Sequence, residues 1–369
     1  MSDKVKDYGR LPRYFYLLCA LAAFSALLYL IAALNPTFAE WFNGTVSAAL
    51  RWLLAHMTSF LPFSLAEVFL LTSPVLIVLV GIYAYRYRCD TWHEALVFIA
   101  CLLSVASILF SLFVFCFGTG YHTRTLDERM ELQAGEVTVS DLEQTARLLA
   151  QKVNTAAEDV SFGEDGFSVM PYGTDEMNDI LLDAYKTTCS EYSFIQQLDS
   201  RVKPVMMSRL MSYTHITGIY TFFTGEANIN IAFPDYTTPF TAAHELAHQR
   251  GIARENEANF VAFLVTSRSD DAYVRYSAYL NLFEYVASAL IGADAEAGQA
   301  VLDLLCDQVK GELRAYAAFF ETYRDSAAAD ISEAVNDTFL KANGNEAGTA
   351  SYGLVVELAV AYYRDGIKP

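Results

Sequence analysis

Residues 238–260 of this 369-residue chain spell TPFTAAHELAHQRGIARENEANF. Thr238 followed by Pro239 forms a helix start, with Thr as N-cap and Pro at the first helical position, where a missing N–H costs nothing. Gly251 is a natural residue to end that helix. His244 and His248, four apart, project from one helical face and can hold one metal ion, while Glu245 lies beside them as a base. A second helix is expected to begin near Arg254, with Glu255 and Glu257 in its first turn. Being two apart, these carboxylates lie about 200° apart around the axis, so only one can face a metal between the helices. Glu257 shares its face with Phe260, Val261 and Leu264, the apolar side expected to pack inward. It is therefore the expected third ligand, with Glu255 on the outer face as the alternative. Three protein ligands leave a fourth position for water, the pattern of catalytic rather than structural Zn2+.

Upstream, Ile216 to Phe223 and Ala227 to Phe233 are the two good strand candidates, rich in Thr, Ile, Tyr and Phe and separated by Thr224-Gly225-Glu226. A hairpin is expected, with the second strand lining a substrate cleft. Ser140-Asp141-Leu142-Glu143 has the form of a capping box opening a helix to about 157, Asp175 to Cys189 is helical in period, and nearly everything beyond 240 is helical. The expected fold of this part is α-rich (α+β), a zincin-like, mostly helical domain with a small β-sheet.

The N-terminal third is of another kind. Residues 1–117 carry 7 basic and 6 acidic residues, against 18 and 37 in residues 118–369; the whole chain has a net charge of −18. Stretches at about 14–34, 66–85 and 95–117 are almost free of charge and long enough to cross a bilayer. The chain is thus expected to divide into a three-helix transmembrane region, 1–117, and an acidic domain, 118–369. Lys4, Lys6, Arg10 and Arg13 before the first span, with Arg86 and Arg88 after the second, put those flanks in the cytoplasm and the acidic domain outside it. The first span is too long for an ordinary signal peptide, so an uncleaved anchor is expected. Phe38 to Phe60 is amphipathic and expected to lie on the membrane surface or cap the bundle. So acidic a surface repels phosphate backbones, which excludes nucleic acid as a partner and leaves the lipid bilayer and a peptide or protein substrate, cell-envelope material included. Of six cysteines, only Cys189 and Cys306 could form a disulfide in an oxidising location, and no CxxC spacing supports a thiolate metal site.

HELAHQRGIARENEANF (244–260) and FTGEANIN (223–230), with LPFSLAEV (61–68), NGNEAGTASYGLVVEL (343–358) and the three spans, resemble the DUF3810 family of bacterial membrane proteins and, more distantly, the gluzincin metallopeptidases. The resemblance implies a zinc peptidase with His244, His248 and Glu257 as ligands and Glu245 as general base. It departs from better-studied gluzincins in placing the third ligand nine residues after His248 and in having Val261 where an Asp would stand. Any group orienting a ligand histidine must then come from elsewhere. Tyr213, His215, Tyr220, Tyr236 and Tyr352 are candidate donors to a developing oxyanion, with Tyr352, in the family-like SYG, preferred. The expected function is a membrane-anchored zinc-dependent hydrolase cleaving peptide bonds outside the cytoplasmic membrane. The competing class is a membrane-bound sensor whose zinc domain does little or no catalysis, though the short cytoplasmic segments leave no room for an effector.

Overall fold

The computed structural model describes residues 11–87, 91–132, 135–345 and 347–364. Lys4, Lys6, Arg10, Arg88 and Cys89 lie outside them. The three apolar stretches form α1 (Arg13–Leu34), α4 (Leu65–Tyr87) and α5 (Trp92–Cys116), with α2 (Pro36–Phe42) and α3 (Ala48–Ser59) between the first two. Each long helix is apolar enough to cross a membrane and turns most of its side chains outward. α1 packs along α5. The protein is membrane-anchored.

Beyond α5 the chain is mostly helical: α6 (Leu126–Met130), α7 (Val139–Ala157), α8 (Thr174–Glu191), α9 (Ser208–Met211), α10 (Thr237–Gln249), α11 (Glu255–Ser267), α12 (Ala272–Ala293), α13 (Ala295–Leu302), α14 (Asp307–Glu321), α15 (Ala327–Ala342) and α16 (Val355–Arg364). The cap of α7 lies two residues earlier than expected, because the capping box is made by Thr138 and Asp141 rather than by Ser140 and Glu143. α12 runs through the centre, packed on α7, α10, α11 and α16. Burying its apolar faces supplies the core that holds the site helices still. Cys189 and Cys306 are separate free thiols.

The sheet has three strands in the order β1 (Lys203–Pro204), β3 (Glu226–Ile229), β2 (Gly218–Thr221). β2 and β3 form the expected antiparallel hairpin, Ile219 opposite Asn228, and the short β1 adds in parallel on the far side. β3 is therefore central and buried throughout, and β2 is the edge. This corrects the expectation that the Ala227 strand lines a cleft: a strand paired on both sides has no free backbone to offer. Asn228 and Asn230 are buried hydrogen-bonders, holding the Ile219 carbonyl at 3.2 Å and the Ser212 hydroxyl at 3.1 Å.

Buried polar contacts join the membrane helices to this sheet. Glu226 on β3 accepts the backbone N–H groups of Leu65 and Ala66, both at 3.0 Å, and the ammonium of Lys203 at 2.7 Å, so a carboxylate caps the N-terminus of α4. Glu67 reciprocates, accepting the N–H groups of Met206 at 3.0 Å and Met207 at 2.8 Å. The segment Phe38 to Phe60 is not a plain surface helix. A π-helical turn, Asn43–Ser47, interrupts it, and Arg51 on α3 is buried, held by Asn43, Gln196 and the Cys116 carbonyl. Trp41, Trp52, Met57 and Phe60 are left exposed on its outer side.

Candidate metal centre

α10 carries His244, Glu245 and His248 and is buried except at Thr241, which lines the cleft. It begins at Thr237, one residue before the expected cap, and ends in the expected turn, with Gly251 at φ 93° and the Ile252 N–H returning to the Ala247 carbonyl at 3.1 Å. A Cβ on Gly251 would meet the Arg51 guanidinium at 2.5 Å, so both the backbone conformation and the space require glycine. The same turn orients a member of the cluster: His248 Nδ1 donates to the Ile252 carbonyl at 2.7 Å. The group that sets this imidazole is a backbone carbonyl, not a carboxylate.

With its hydrogen committed to Ile252, a neutral His248 presents the Nε2 lone pair to Glu255 Oε2 at 3.3 Å, and His244 Nε2 approaches the same oxygen at 3.2 Å. Neither approach is a well-directed hydrogen bond, since that oxygen is left without a partner of good geometry, as is His244 Nδ1. Acceptors facing each other at this distance require a proton or a cation between them. The donor atoms of His244, His248 and Glu255 lie within 4.8 Å of one another. A tetrahedron with metal–ligand bonds of roughly 2.0–2.1 Å has edges of about 3.3–3.4 Å, close to the two contacts found, so the residues present fit a small divalent ion such as zinc.

The third member of the cluster is thus Glu255, and Glu257 is elsewhere. Glu257 is buried in a separate network, accepting the Leu126 N–H at 3.0 Å and pairing with Arg129 at 2.9 Å and Arg254 at 2.7 Å. Arg254 also holds the Thr123 and Tyr121 carbonyls, so Glu257 fastens the segment that follows α5 onto α11. The expectation failed on its premise of one inward face. Except for Asn256, every residue of α11 is buried, so amphipathicity cannot choose between two carboxylates. Arg250 is buried, stacked 3.9 Å over the Tyr185 ring, and donates to the Leu198 carbonyl at 2.6 Å.

Glu245 faces the edge strand. A Cβ on Gly218 would sit 2.6 Å from both Cγ and Oε1 of Glu245, so β2 can lie this close only because residue 218 has no side chain. The Tyr220 backbone N–H supports the carboxylate, while Oε2 has no partner among the described residues. Burial raises the Glu245 carboxyl to about 7, against the opposing pull of the two imidazoles. Gly218→Ala should displace this carboxylate and reduce any turnover at least about tenfold without changing metal content. Steady-state rates beside elemental analysis would check it.

His248 is pushed down by burial but more strongly up by Glu255, to about 9. In the metal-free protein it is therefore protonated at neutral pH, and a metal must displace that proton. Apparent affinity should fall up to about tenfold for each pH unit from 9 to 7, a slope that competition against a chelator at pH 7, 8 and 9 would measure.

His244 and Glu245 open into a cleft of about 740 Å³, walled by β2 from Gly218, the turn Thr214–Thr217, one face of α12, Tyr316 of α14, and α15. Of the proposed oxyanion donors, His215 and Tyr236 line it. His215 has φ 59° and gives Nε2 to the Tyr323 carbonyl at 2.7 Å. Tyr213 lies outside against Tyr323, and the Tyr220 hydroxyl is buried behind the sheet near Arg51. The Tyr352 side chain lies outside the described residues. The sequence reasoning missed Asn281, Glu284, Tyr285 and Ser288, although their i, i+3, i+4, i+7 spacing is a polar stripe on an otherwise apolar central helix.

Fold and cluster together define a membrane-anchored helical protein with a metal-competent two-histidine, one-carboxylate centre beside a cleft. The chain belongs to the DUF3810 family, described as "Protein of unknown function", whose profile matches residues 42–360. Comparison with curated proteins and with solved structures finds no match.

Proposed function

We propose that this protein is a zinc-dependent hydrolase, a metallopeptidase working at the membrane surface outside the cytoplasm. The observation that carries the proposal is the convergence of His244, His248 and Glu255 with Glu245 beside them at the end of an open cleft. Zinc held by those three residues would supply Lewis acidity and bring the pKa of water toward neutrality. Glu245 takes the proton at its unpartnered Oε2 as water attacks a carbonyl, and returns it to the leaving amine; a carboxyl near 7 is suited to both transfers. Edge strand β2, whose Gly218 borders the cleft, can pair with an extended peptide along its outer side. His215 and Tyr236 are the lining candidates for the oxyanion donor. Placement outside the cytoplasm rests on the basic flanks of the spans.

The test uses the full-length protein in detergent or nanodiscs, metal-stripped and reloaded. One equivalent of zinc, with cleavage of a peptide library that chelation abolishes and zinc restores, is the expected result. Stoichiometric zinc without turnover on any peptide would turn the reading toward the sensor.

A further inference from the structure

The cleft wall formed by α12 contains a half-buried carboxylate that the proposed hydrolysis does not use. Glu284 projects from α12 into the cavity on the same face as Asn281 and Tyr285. Its close contact is the Tyr236 hydroxyl, 3.3 and 3.4 Å from its two oxygens, which is long for a charge-assisted bond. Tyr236, Tyr285 and Tyr316 all line the cavity and all feel the Glu284 charge. The rings of Tyr236 and Tyr316 meet edge to face with centroids 5.8 Å apart. Asn259, one turn beyond Glu255 on α11, reaches the Tyr285 hydroxyl at 3.4 Å, which ties this wall to the metal-competent cluster. No lysine or arginine among the described residues lines the cavity.

A carboxylate with tyrosine hydroxyls near it and no cation is one half of an ammonium site. The carboxylate supplies the countercharge, and the tyrosine hydroxyl oxygens can accept the remaining N–H bonds of an ammonium. We infer that Glu284, with Tyr236, Tyr285 and Tyr316, is a subsite for a primary ammonium group of the substrate, either a peptide's free N-terminus or a lysine-like side-chain amine. Burial raises the Glu284 carboxyl to about 8, so an ammonium entering at neutral pH displaces the proton the carboxyl otherwise holds. Neutral polar peptides gain nothing here, whereas a compact ammonium with three rotatable donors can bond the carboxylate and neighbouring hydroxyl oxygens together.

The inference names the substrate class for the cleft assigned above and rests on that reading only for the bond that is cut. Its test therefore measures binding as well as turnover. Zinc-loaded full-length protein carrying Glu245→Gln is titrated calorimetrically with three forms of one lysine-containing pentapeptide: unmodified, N-terminally acetylated, and lysine-acetylated. One acetylation should weaken binding about tenfold or more, and which one does so identifies the source of the amine. Adding Glu284→Gln, isosteric and neutral, should remove the discrimination with zinc content unchanged. Tyr316→Leu should reduce it and serves as the second variant should the first fail to fold. Equal binding of all three peptides, or discrimination that persists in the folded Glu284→Gln protein, overturns the inference. Discrimination with no cleavage by the Glu245 protein would leave the ammonium site standing and remove the peptidase reading; cleavage with no discrimination would do the reverse.

Discussion

Zinc-loaded protein carrying Glu255→Ala should lose metal affinity by about a hundredfold or more, whereas Glu257→Ala should keep its zinc and lose stability instead. The contrast follows from where the two carboxylates sit. Removing Glu255 leaves two imidazoles, which is fewer than the three protein ligands of a zinc site that retains an open position. Removing Glu257 leaves Arg129 and Arg254 unpaired and the Leu126 N–H without its acceptor. Breaking so buried a pair costs about 3–5 kcal/mol, and Arg129 is 7% exposed against 2% for Glu257. Elemental analysis of each purified variant, beside thermal unfolding at fixed zinc, separates the effects. Zinc retained in the Glu255 variant would sink the ligand assignment made from the geometry.

The second large effect is on rate. Glu245→Gln should keep zinc bound and lower peptide cleavage by about 10²–10⁴, the range expected when a positioned base is removed. Glutamine preserves the shape pressed against Gly218 and the support from the Tyr220 N–H, so the change isolates proton transfer. Turnover surviving within tenfold of wild type would mean that some other group moves the proton.

Much of this architecture was legible in the chain. Three nearly uncharged stretches of about 20 residues are long and apolar enough on every face to cross a bilayer, so their spans followed within a few residues. Helix signals around 238–254 were equally plain, because Pro, Gly and the histidine spacing act locally. What failed was every judgement that depended on neighbours distant in sequence. Glu257 was misassigned because Arg129 and the segment after α5 come to meet it from more than a hundred residues away. The cleft-lining strand was misassigned because β1, only two residues long, covers β3 and gives no alternating pattern of its own. Nothing in the residues next to Arg250 points to its partners, which are carbonyls and a tyrosine face brought in by folding. Glu284 and its ring of tyrosines were hidden among 23 tyrosines until folding set three of them around one carboxylate.

The clasp between the bilayer helices and the sheet bears on how this molecule can be handled. Asn43 donates to the Gly251 carbonyl at 3.0 Å, and Arg51 braces the turn whose next residue aligns His248. Glu226 is satisfied largely by amides that begin α4. Severing the polypeptide near residue 117 to obtain a water-soluble fragment would strip these supports from the domain that carries the His244–His248–Glu255 cluster and leave Glu226 buried without the amides that satisfy it. The membrane-proximal helices are thus part of what shapes the candidate centre rather than a tether to it.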